Sequence, residues 1–114
     1  MRIIEKQMNK ALRSQSDFKK DNTRVETTLN GIESRVYLHN NLIAVINHLN
    51  QKLTIFDGGW QSNTTKSRLN ALLNEFHPNF GVVQKNFEWF LYFRNSYENF
   101  KDYTLSPFVS GTTI

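Results

Sequence analysis

Ser34-Arg35-Val36-Tyr37-Leu38-His39-Asn40-Asn41-Leu42-Ile43-Ala44-Val45-Ile46 is the stretch that decides the fold. Its first half alternates. Val36 and Leu38 fall on one face and Arg35, Tyr37 and His39 on the other, the period of a half-buried strand. Asn40-Asn41 follows, and asparagine tolerates the positive φ angles that a two-residue type I′ turn demands. Leu42 to Ile46 is then almost wholly apolar, the pattern of a central strand covered on both faces. The stretch therefore reads as an antiparallel hairpin, around which a sheet can grow.

Upstream, Thr23 to Leu29 is rich in β-branched residues and ends at the turn dipeptide Asn30-Gly31. Downstream, a turn near Asn50-Gln51 leads into Lys52 to Phe56, which Asp57-Gly58-Gly59 brings to an end. A helix is predicted over 62–76, because Leu69, Leu72, Leu73 and Phe76 recur at helical spacing behind the capping candidates Ser62, Asn63, Thr64 and Thr65. His77-Pro78 stops it. Phe80 to Lys85 and Phe87 to Arg94 read as a second hairpin around Asn86, with Phe87, Trp89, Leu91 and Phe93 on one face and Phe90 and Tyr92 on the other. Tyr103 to Val109 is expected as an edge strand, where Pro107 is tolerated. At the N-terminus, Ile4, Met8, Ala11 and Leu12 mark one face of a helix over 3–13, and Ser14 to Asn22 reads as a polar connection. The expected fold is α+β: a single domain over 1–114, with an antiparallel sheet of five to seven strands, the helix at 62–76 packed on it, and the N-terminal helix beside it.

Composition narrows the function. The 114 residues include no cysteine, which removes disulfides, thiolate metal sites and a cysteine nucleophile together. No apolar run approaches the ~20 residues of a membrane span, and the N-terminus lacks a signal peptide's apolar stretch. With 13% aromatic residues, disorder is not expected. The net charge of +4 sits within residues 1–20, where six basic side chains face two acidic ones, while the other 94 residues balance. Lys6, Lys10 and Arg13 would share the outer face of the first helix, either as a phosphate-contacting surface or as a solvated helix face.

The best candidate site is the entry to the second helix, Gly58-Gly59-Trp60-Gln61-Ser62-Asn63-Thr64-Thr65-Lys66-Ser67-Arg68. A glycine turn delivers the chain to a helix start, where free N–H groups and the helix dipole favour an anion. Lys66 and Arg68 would neutralise phosphate, Thr64 and Thr65 would donate hydroxyls, and Trp60 would stack on a base or sugar. Thr65 stands where a Walker A loop needs glycine, so the stretch is not that motif. The competing reading is a well-capped helix with Trp60 in the core. His39, His48 and His77 have no metal-ligand spacing, Asp57 reads as a turn residue, and no Ser/His/Asp set presents itself. No cofactor or metal is expected, and the chain reads as non-catalytic. Arg35, Tyr37, Phe90, Tyr92 and Arg94 would form an aromatic, basic sheet surface if one face of the sheet were open.

Two segments, Tyr37 to Ala44 and Gly59 to Leu72, resemble a group of small bacteriophage proteins carrying "YLHGN-IA" and "GW-TxTTKxRLNAL" patterns, with Asn40 here in place of the usual glycine. The resemblance covers about 36–92. It implies a phage origin and action in the cytoplasm of an infected bacterium, without implying a particular activity. The expectation is an accessory protein that binds nucleic acid or a phosphate-bearing ligand. The alternative is a protein-directed inhibitor of a host enzyme or defence system, and exposed strand edges make a homodimer a third partner to consider.

Overall fold

The hairpin is present, one residue out of step with its expected turn. In the computed structural model, which describes residues 1–114, β3 (Glu33–Leu38) and β4 (Asn41–Asn47) pair antiparallel. The two positive-φ residues between them are His39 (50°) and Asn40 (65°), and Asn41 already belongs to β4. A bulge opposite Val36 and Tyr37 carries the register past Ile43, so that neighbouring Ile43 and Ala44 are both buried. The other face of β4 is open rather than covered, with Leu42 and Val45 half-buried.

Around this hairpin lies a six-stranded antiparallel sheet in the order β1-β2-β3-β4-β5-β9. It adds β1 (Phe18–Lys20), β2 (Thr23–Thr27), β5 (Leu53–Ile55) and β9 (Thr112–Thr113). The segment expected as a connection thus contains β1, and the chain's end returns to pair with β5. β6 (Phe80–Lys85), β7 (Glu88–Arg94) and β8 (Tyr103–Pro107) form a separate three-stranded sheet. Its first turn uses Asn86 and Phe87, both at positive φ, so Phe87 is a turn residue, 93% exposed, and not part of a strand face.

Two helices cover one face of the large sheet: α1 (Ile3–Arg13) and α2 (Asn63–Phe76). Ser62 caps α2 by accepting a hydrogen bond from the Thr65 N–H at 3.1 Å, and Glu5 reaches back to the Arg2 N–H at 3.2 Å to secure the start of α1. Met8, Leu12, Leu69, Leu72 and Leu73 pack with Val25, Val36, Ile46, Leu53 and Ile55 in one core. The helices run parallel, since successive turns of α1 meet successive turns of α2: Glu5 with Arg68, Asn9 with the Ala71 carbonyl, and Arg13 with Glu75. On its other flank α2 meets β6. There the Asn70 side chain donates to the Val82 carbonyl at 2.9 Å and accepts from the Val82 N–H at 2.7 Å, filling the strand edge as a paired strand would.

Candidate functional site at the start of the second helix

Antiparallel pairing brings the β1–β2 turn, the β3–β4 turn and the β5–α2 loop to one end of the large sheet. A cleft of about 490 Å³ opens there, within the size range of small-molecule sites. One wall is His39, Asn41 and Ile43; the other is Asp57, Gly58 and Trp60; the first turn of α2 supplies Ser62, Thr64 and Thr65. The two segments singled out in the sequence therefore meet across a single cavity.

The β5–α2 loop is built to hold this shape. Asp57 accepts the Gly59 N–H at 2.8 Å, closing a tight turn in which Gly58 and Gly59 take φ of 71° and 86°. A side chain at Gly58 would meet Ile43 Cγ2 at 3.2 Å, so the glycine lets the loop lie against the bulge of β4. Trp60 is thrown outward, 79% exposed, rather than into the core. At the helix start, Ser62 occupies the Thr65 N–H and Thr65 Oγ1, while the Asn63 and Thr64 N–H groups have no protein acceptor.

Of the expected contact residues, the cleft gathers Trp60, Thr64 and Thr65, although Thr65 is only 5% exposed and bonded to Ser62. The others are placed elsewhere. Arg68 is a correction: it is 3% exposed, with Nη1 donating to Glu5 at 2.8 Å, Nε to Thr23 at 3.1 Å and Nη2 to Asn22 at 3.3 Å. Its guanidinium joins α1, α2 and β2, and no phosphate can reach it. Lys66 leans to the opposite flank and donates to Gln84 of β6 at 3.2 Å. Lys6, Lys10 and Arg13 lie on the outer side of α1 beside Glu75, with Arg13 ion-paired to it. The basic flank of α1 and Lys66 stand on opposite sides of α2, so their fields do not sum into one patch.

The cations that do border the cleft were not singled out in the sequence. His39 is shared with an adjoining depression of about 150 Å³ lined by Lys19 and Arg24, and Lys20 is exposed at the same end. Arg24 donates to Asn40 at 2.8 Å and lies 4.3 Å over the Tyr37 ring. Asp21 and Asp57 moderate the charge. Only the strand register reveals this grouping, because Lys19 faces Arg24 across β1 and β2. The five residues of the proposed aromatic, basic surface do not assemble: Arg35 and Tyr37 belong to the large sheet, Phe90, Tyr92 and Arg94 to the small one.

The histidines are dispersed. His48 accepts from or donates to Ser34 Oγ at 2.8 Å, and its burial lowers its pKa; His77 contacts the Gln51 carbonyl at 2.8 Å. A second depression, about 460 Å³ over the outer face of α2, is less available to a ligand, since Ser67 and Asn70 there are already bonded to Glu5 and Val82. No helix is long and apolar enough to cross a membrane.

No curated protein and no solved structure matches the chain significantly. The family model described as Kyanoviridae Gp96 protein matches residues 1–114, the whole chain, and this protein therefore belongs to that phage protein family.

Proposed function

We propose that this phage protein is a non-catalytic accessory factor that acts in the host cytoplasm by binding nucleic acid or another phosphate-bearing ligand in the cleft at the start of α2. The observation that carries this reading is Trp60, 79% exposed beside a cavity that Thr64 also lines, its N–H without a protein acceptor at the start of α2. Leaving an indole in water forgoes roughly 2–3 kcal/mol of burial, which favours a partner that covers it. A base stacked on Trp60 would place its phosphate toward the helix start, with Thr64, Asn41 and His39 as further polar contacts and Lys19, Lys20 and Arg24 supplying the field.

The test is fluorescence anisotropy of short labelled single- and double-stranded DNA and RNA, at low and near-physiological salt. Wild type would be compared with Trp60→Ala and with a Lys19→Gln/Lys20→Gln variant. Single-strand binding that Trp60→Ala abolishes, and that the lysine variant weakens with a shallower salt slope, supports the reading. Absence of binding at low salt removes it. One observation favours the protein-directed inhibitor instead: Phe87, at the tip of the β6–β7 turn, is 93% exposed and far in sequence from the cleft. That reading predicts a host-protein complex sensitive to Phe87→Ala and indifferent to Trp60→Ala.

A further inference from the structure

The small sheet has two apolar faces and packs one of them against the core, while on the other Phe90, Tyr92 and Leu105 are only partly buried. Val82, Trp89 and Leu91 join the core, with Phe108 against Trp89 and Phe80 against Phe93. Alternate residues project the other way: Val83, Phe90, Tyr92, Tyr103 and Leu105, which the strand register sets side by side. Val83 is 36% and Tyr103 46% exposed, and the Tyr92 and Tyr103 rings lie 5.2 Å apart. Neither helix makes an extensive contact with β7 or β8, and α2 reaches this face only at its β6 edge, where Asn70 lies beside Gly81.

Its charges identify the occupant. Glu88 and Arg94 stand at opposite ends of β7 and, two residues apart in succession with Phe90 and Tyr92, share the outward face. Neither side chain has a hydrogen-bonding or ion-pairing partner within the protomer; of the six arginines, Arg13, Arg24, Arg35 and Arg68 are ion-paired and Arg2 and Arg94 are not. The Arg94 guanidinium is held 5.2 Å over the Tyr97 ring. Across residues 80–107, Lys85, Arg94 and Lys101 are balanced by Glu88, Glu98 and Asp102, so this surface has no net attraction for a polyanion.

We infer that this face pairs with the same face of a second copy of the chain, forming a two-fold symmetric dimer. A two-fold axis over Leu91 runs the two β7 strands antiparallel. It sets Phe90 opposite the partner's Tyr92 and Glu88 opposite the partner's Arg94, each relationship occurring twice. Face-packed sheets lie ~10 Å apart, a gap that aromatic rings fill and that arginine and glutamate can bridge from either side. The face measures roughly 15 by 20 Å from strand spacing and rise. That is small beside the ~800 Å² per partner of a standard interface, so the expected dimer is a weak one that exchanges with monomer. Tyr97, 74% exposed in the β7–β8 loop and stacked under Arg94, extends its rim. The cleft at α2 is built from the other sheet and takes no part.

Sedimentation velocity over a concentration series tests this with wild type, Arg94→Glu, Glu88→Arg and the double charge swap. All four would first be shown by circular dichroism to fold alike. Expected are a reversible wild-type dimer, a dissociation constant raised about tenfold or more by each single reversal, and recovery in the double swap. A wild-type chain that stays monomeric across the series overturns the inference. So does a dimer indifferent to the single reversals, or one that the double swap fails to restore.

Discussion

The Glu5 carboxylate of α1 and the Arg68 guanidinium of α2 meet at 2.8 Å, with each side chain about 3% exposed. Each guanidinium nitrogen and each carboxylate oxygen of the pair has a partner. Glu5 also accepts from Ser67 Oγ at 2.6 Å and from the Arg2 N–H, and Arg68 donates to Thr23 and Asn22. The pair orients α1 against α2 and ties both to the start of β2. A basic residue that looks in sequence like a phosphate ligand is thereby a structural one.

Removing one member leaves a buried, uncompensated charge. Glu5→Gln or Arg68→Met is expected to lower the unfolding free energy by about 3–5 kcal/mol. The Glu5→Met/Arg68→Met double variant should recover a large part of that loss. Urea unfolding of the three variants checks it, and a double variant less stable than either single would contradict it.

The same pair sets the acid response. Burial by itself raises the Glu5 pKa, but hydrogen bonds from Ser67, Arg68 and the Arg2 backbone, with the Arg68 charge, outweigh it and hold the carboxyl below its ordinary value. A depressed folded pKa contributes stability that is present above the unfolded-state pKa and is lost as pH falls through the folded one. Wild type should therefore lose stability more steeply than Glu5→Gln below the ordinary carboxylate range. Parallel curves in thermal melts at stepped pH would dismiss this account.

Asn70 offers a separate test at the other flank of α2. Asn70→Ala unpairs both Val82 backbone groups, for an expected loss of about 1–3 kcal/mol. Hydrogen exchange at the Val82 amide should rise well ahead of the core of the large sheet. Unchanged protection there would mean that water replaces the side chain without penalty.

At the cleft, Gly58 and Gly59 separate two effects. Both have positive φ, so alanine strains either by roughly 1 kcal/mol. Only at Gly58 would the added Cβ also press on Ile43 and Asn41, at 3.2 and 3.4 Å. Gly58→Ala should thus be the more destabilising and should alter ligand binding, while Gly59→Ala, with nothing within 4 Å of its Cβ, should leave binding close to wild type. Comparable behaviour of the two would argue against a loop moulded to the β4 bulge.

Local rules made much of this architecture legible. The i, i+3, i+4, i+7 apolar spacing and Ser62 located α2, and the Ile4–Leu12 face located α1. Alternation located the two hairpins, but three consecutive residues able to take positive φ, His39, Asn40 and Asn41, left the first turn's register open to tertiary packing. Alternation also cannot say which sheet a strand joins, and β6 to β8 split from β1 to β5 because α2 lies between them. Trp60, Thr64 and Thr65 could be grouped from the sequence because one loop and one helix turn carry all three. Lys19, Arg24 and His39 could not be grouped from the sequence because β1 reads there as a polar connection, and only its pairing with β2 sets Lys19 opposite Arg24 beside the β3–β4 turn. The fate of Arg68 rests on Glu5, 63 residues away, for which no sequence period speaks.

The most direct measurement is the emission of Trp60 itself. Trp89 is 5% exposed and Trp60 79%, so the red-shifted, acrylamide-accessible part of the fluorescence belongs to Trp60. Titration with a short single-stranded oligonucleotide is expected to quench that component and shield it from acrylamide, saturably and less effectively at high salt. The same response should persist in a Lys6→Gln/Lys10→Gln variant. Emission and quenching that stay unchanged through the titration would contradict binding at the α2 cleft.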